Sequence, residues 1–142
     1  MRRRRGITRR AALAGLAAAA LAAGRGRAGA AAAIREVIER QLRAFLGDDL
    51  AGAWGFASPA IQRLFGTPET FGRMVREGYP MIWRPGGWSF EALEPFGAGL
   101  RQTVVITDRA GTVHVADYDM VQVEGAWRIN GVRLRRPVGT GA

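Results

Sequence analysis

The sequence predicts an α+β fold: three to four N-terminal helices packed on a curved, antiparallel meander of four to five strands, a cone-shaped half-barrel. Three observations predict it. Apolar residues recur with the helical period as far as Gly78. Beyond Gly78 they recur with period 2. Short Gly-containing turns separate the later extended runs, which makes consecutive strands antiparallel neighbours.

The elements follow in order. Ile34, Val37, Ile38, Leu42, Phe45 and Leu46 fall on one helical stripe, with Gly47 as its expected C′ stop. Glu36 with Arg40 and Glu39 with Arg43 are i,i+4 pairs on the other face, in the preferred order. Asp48 or Asp49 can cap a short helix over Leu50 to Ala57. Ser58-Pro59 and Thr67-Pro68 repeat one device, a hydroxyl cap followed by Pro at the first helical position. They open helices over Pro59 to Phe65 and Pro68 to Glu77. Tyr79 to Arg84, bounded by Pro80 and Pro85, reads as a short extended run. Strands follow at Trp88 to Leu93, with Trp88, Phe90 and Ala92 on one face, and at Leu100 to Asp108, Thr112 to Val123 and Ala126 to Leu134. Asn130-Gly131 interrupts the last alternation, as a bulge would.

Charge separates the chain into parts. All 21 basic residues are Arg, and the formal net charge is +9. Eight of them lie in residues 1–30, which hold no acid. The remainder has 13 Arg against 12 acids, close to neutral. The electrostatic footprint of a nucleic-acid-binding protein is therefore absent from the working domain, and no nucleic-acid partner is expected. Arg133, Arg135 and Arg136 are too few to change that. With no Cys, disulfides, thiol catalysis and thiolate zinc sites are excluded. No apolar run reaches bilayer length, so no stable membrane span is expected after cleavage.

Residues 1–30 read as a cleavable export signal, residues 31–136 as a single domain and residues 137–142 as a flexible tail. A basic segment precedes the 13-residue apolar run Ala11 to Ala23. Ala28-Gly29-Ala30 supplies the small-x-small pattern that signal peptidase admits, with cleavage after Ala30 or Ala32. Thr8-Arg9-Arg10-Ala11-Ala12-Leu13 resembles the twin-arginine export motif, carried by Arg9 and Arg10, though Ala12 stands where Phe is usual. An ordinary secretory signal and a mitochondrial transit peptide are the other readings. The expected partners are the twin-arginine or general export machinery and signal peptidase, and the expected location is the periplasm.

The closing segment Val123-Glu124-Gly125-Ala126-Trp127-Arg128-Ile129 resembles the last hairpin of the nuclear-transport-factor-2-like (SnoaL-like) cone-fold superfamily. More closely, the chain resembles a bacterial family known as domain of unknown function 4864. The residues carrying this are Asp48-Asp49, Phe56-Ala57-Ser58-Pro59-Ala60-Ile61-Gln62, Phe65-Gly66-Thr67-Pro68, Met74-Val75, Gly78-Tyr79-Pro80 and Trp83-Arg84-Pro85. His114, Tyr118, Met120 and Trp127 to Val132 continue it. The resemblance implies a fold and no specific chemistry.

Several residues are candidates for chemistry. Trp83 and Arg84, beside a Pro-stiffened turn, suit a pocket for an anion or an aromatic group. The alternative is that Trp83 packs on the helices and Arg84 pairs with Asp48 or Asp49. His114, the only His, shares a strand face with Tyr118 and can serve as a base or as a hydrogen-bonded sheet residue. Asp117 and Asp119 share the opposite face, as an acid–base pair or as solvated carboxylates. A lone His cannot build a His-rich metal site, and no phosphate loop or nucleophile elbow is present, so no cofactor is expected. The expected function is binding of a small ligand or partner. The alternatives are a small isomerase, dehydratase or hydrolase using His114, Tyr118 or an Asp, and a homodimer packed through its sheets.

Overall fold

A computed structural model of the chain describes the backbone of residues 10–136 and the side chains from Gly26 onward. Arg9 and the tail 137–142 lie outside the described residues; Arg10, Ala28 and Ala30 lie in helical backbone. The chain forms two compact units, residues 1–32 and 33–142. The described part of the first is helical throughout. Among the described residues no helix is long and apolar enough to cross a membrane.

The order is α1 (Arg10–Leu46), α2 (Leu50–Gly55), α3 (Pro59–Phe65), α4 (Pro68–Gly78), α5 (Pro80–Trp83), then β1 (Pro85–Phe96), β2 (Gly99–Asp108), β3 (Val113–Val123) and β4 (Ala126–Leu134). The α+β class and the helices-then-meander order are as the sequence predicts. The helix count is five, above the expected three to four. The extra helix is the stretch Tyr79 to Arg84, expected as extended. Pro80 sits at its first helical position, and the Tyr79 carbonyl accepts from the Ile82 and Trp83 N–H groups at 2.9 and 3.0 Å. A Pro with φ near −65° fits an extended run and a first helical turn equally well, so the sequence pattern alone does not separate them.

Burial explains the stripe on α1. Ile34, Ile38, Leu42 and Phe45 are fully buried, and each such side chain contributes about 1.5–3 kcal/mol of transfer free energy. The helix ends in paired carbonyl contacts, Asp49 N–H to Ala44 at 2.8 Å and Asp48 N–H to Phe45 at 3.1 Å. Asp48, with φ of 55°, therefore holds the left-handed C′ position expected for Gly47. The Glu36–Arg40 pair forms at 2.7 Å. Glu39 and Arg43 turn to Trp88 instead. Glu39 accepts from the indole N–H at 3.2 Å, and the Arg43 guanidinium lies 5.3 Å from the ring centre.

The caps read from sequence are in place. Asp49, Ser58 and Thr67 each accept from the N–H three residues on. Ser58 also donates to the Asn130 side chain at 2.7 Å, tying the start of α3 to β4.

The four strands form one antiparallel sheet in the order β1-β2-β3-β4. The expected bulge at Asn130 is present, since Asp119 pairs with Gly131 and the adjacent Met120 with Ile129. A second irregularity between Phe90 and Leu93 was not expected. It turns Leu93 toward the core and leaves Ala92 exposed, against the expected Trp88-Phe90-Ala92 face. The inner face buries Val104, Ile106, Ala116, Tyr118, Met120 and Ile129 in one cluster with the α1 stripe. Beside β4, Ala57 forms a parallel bridge to Ile129, held by Ser58 N–H to the Ile129 carbonyl and Ile129 N–H to the Phe56 carbonyl, both 2.8 Å.

Candidate functional site

Two concavities among the described residues bring candidate side chains together. The first is an apolar cavity of about 240 Å³ between α3, α4, α5 and β4. The three short Pro-started helices supply much of its lining. Phe45, Phe71, Val75, Ile82 and Ile129 form buried walls. Ile61, Phe65, Met74, Tyr79 and Val132 are half-buried, and Leu64, 71% exposed, marks the opening to solvent. The ring of Phe71 sits 5.9 Å from those of Phe45 and Phe65 and 5.5 Å from that of Trp54, which stiffens one wall.

Polar groups in this cavity are few. Gln41, 3% exposed, donates to the Ala53 carbonyl at 3.1 Å and lines the cavity. The Tyr79 hydroxyl donates to the Val132 carbonyl at 3.3 Å. An apolar lining with a few fixed polar groups is the usual composition of a small-molecule site.

The second concavity is a polar cleft of about 300 Å³, lined by Pro80, Met81, Arg84, Asp108, Arg109, Ala110 and His114. Arg84 donates to the Phe45 carbonyl at 2.6 Å and to the Trp83 carbonyl at 3.0 Å, and pairs with Asp48. It thus caps the C-terminus of α1, where cations are favoured. Asp108 anchors the β2–β3 loop. One carboxylate oxygen accepts from the Ala110 and Thr112 N–H groups and the other meets His114 Nε2, all at 2.9 Å. The His114 contact and the Thr112 N–H hold the Asp108 carboxyl below its ordinary pKa. The ionised carboxylate can only accept, so Nε2 is the ring nitrogen that carries hydrogen.

Arg84 and His114, distant in sequence, are thus brought to one cleft. Trp83 is not among its lining residues. It packs on Phe45 at 5.6 Å, with the Arg84 guanidinium 4.6 Å from its ring centre. Tyr118 is fully buried in the core, and burial pushes its phenol pKa up. Its hydroxyl has no hydrogen-bond partner among the described residues. Asp117 and Asp119 lie on the opposite sheet face and are engaged separately. Arg135 grips Asp117 through two contacts of 2.9 Å, and Thr103 donates to it at 2.9 Å. Asp119 pairs with Arg101 at 2.7 Å. Arg135, then Thr103, holds the Asp117 carboxyl low, so Asp117 is not poised to donate a proton near neutrality.

Sequence reasoning did not single out Asp108 and Arg109, or the cavity wall. Asp108 could have been noticed: an Asp opening a hairpin loop commonly accepts from N–H groups ahead of it. The cavity wall carries no such signal, because its residues look like ordinary core positions.

Residues 27–142 match the family described as Domain of unknown function (DUF4864). No curated protein matches the chain.

Proposed function

The chain belongs to the DUF4864 family, and on that premise we propose that it is an exported module that binds a small, mainly apolar molecule between α3, α4, α5 and β4. The cavity carries this reading: about 240 Å³, walled by buried aliphatic and aromatic side chains and open beside Leu64. A dry cavity of about 150 Å³ already admits benzene, so a two-ring molecule is of suitable size. Apolar burial supplies the affinity. Gln41 and the Tyr79 hydroxyl supply the few polar contacts that fix orientation.

Export is supported by the acid-free, Arg-rich start, the apolar run and Ala28-Gly29-Ala30. The twin-arginine pattern at Arg9-Arg10 points to the route that carries folded proteins. Helices first and a four-stranded meander after them support the wider cone-fold superfamily.

A naphthylamine fluorophore whose emission rises out of water tests the binding. Saturable enhancement is expected, lost in Ile61→Trp, where a bulkier ring at the half-buried rim fills the opening. Enhancement that does not saturate, or that persists unchanged in Ile61→Trp with the fold intact, overturns the reading.

A further inference from the structure

The polar cleft stands apart from the apolar cavity in both lining and chemistry. We propose that it is a site for a small oxyanion, of which phosphate is the simplest, held by Arg84 and Arg109 beside His114.

The argument is one of charge already spent and charge left over. The cleft holds one acid, Asp108, and its two oxygens are taken by Ala110 N–H, Thr112 N–H and His114. Asp48, the acid behind Arg84, is engaged by that guanidinium. Arg109 is different. It is exposed, and it makes no hydrogen bond or ion pair with any described residue. A guanidinium offers five donors in a fixed fork suited to phosphate oxygens.

Arg84 is half-buried and held by the Phe45 carbonyl, the Trp83 carbonyl and Asp48, so its place is set before a ligand arrives. Its three contacts use both terminal nitrogens and leave Nε among its remaining donors. Arg109 rides on a loop whose turn is fixed by Asp108, and it lines the same cleft as Arg84. Arg109 supplies the unspent positive charge, and Arg84, already paired with Asp48, supplies fixed N–H donors. The volume of about 300 Å³ leaves room for the organic part of a ligand as well.

His114 makes the test direct, because it is the only His in the chain and its ring resonances need no assignment. The experiment titrates inorganic phosphate into the full chain at constant ionic strength and follows those resonances. The expected result is a saturable shift with a dissociation constant of about 1 mM. Arg109→Gln weakens it about tenfold. That variant removes no described contact, so its spectrum stays that of the folded domain. A shift that never saturates, chloride producing the same shift, or an unchanged midpoint in Arg109→Gln overturns the proposal. The fluorophore experiment on the apolar cavity is independent of all three outcomes.

Discussion

Asp48 shows how one residue can carry two duties that pull in different directions. Its left-handed backbone, φ of 55°, favours Gly, while its carboxylate holds Arg84 against the end of α1. The carboxylate is 70% exposed, so the ion pair contributes little, under about 1 kcal/mol. The left-handed conformation costs a residue with a Cβ about 1–2 kcal/mol. Asp48→Gly should therefore keep nearly all of the stability, and Asp48→Ala should fall about 1 kcal/mol below the Gly variant in urea unfolding. Equal stability of the two variants would remove backbone strain from the account.

At the scale of elements, the turns decide the register. β1 and β2 are joined through Gly97-Ala98, with Phe96 paired to Gly99. A side chain at Gly99 would overlap the backbone carbonyl of Met120 on β3. Backbone cannot swing aside as a side-chain tip can, so Gly99→Ala should cost about 3 kcal/mol in thermal or urea unfolding. A near-neutral result would mean that the hairpin shifts freely against β3. The helix starts were legible in the sequence because a cap is a local device: Asp49, Ser58 and Thr67 each meet an N–H three residues away. The Asn130 bulge was legible because it breaks a period of 2. Pro80 was misread because its ring satisfies two conformations. The cleft was half legible: Arg84 and His114 were visible as residues, but their meeting depends on where α5 docks against the β2–β3 loop. The apolar cavity was not legible at all. Its walls come from α1, α3, α4, α5 and β4, and a gap among core residues leaves no mark on their order.

For the whole molecule, acid should be the sensitive direction. Asp108 and Asp117 are held below the ordinary carboxyl value of 3.8, by His114 and Arg135 respectively as the largest causes. As pH falls, the unfolded chain takes up these protons before the folded one does. The stability they contribute is thus complete above that value and lost as pH drops through their lower folded values. Unfolding free energy followed from neutral pH to about pH 2 should decline in that window. Asp117→Asn should flatten the decline. An equally steep decline in Asp117→Asn would place the acid sensitivity elsewhere.

The bridge between Ala57 and Ile129 also bears on how this sheet meets other chains. An open sheet has two rims where a foreign strand could add itself, and natural proteins usually guard them. Here the middle of β4 is already occupied by residues 56–58. The free rim of β1 carries Pro85 and Pro95, which offer no N–H, and the kink between Phe90 and Leu93 breaks its line. Neither rim offers a long straight template, so runaway strand-by-strand growth is blocked at both ends of the sheet.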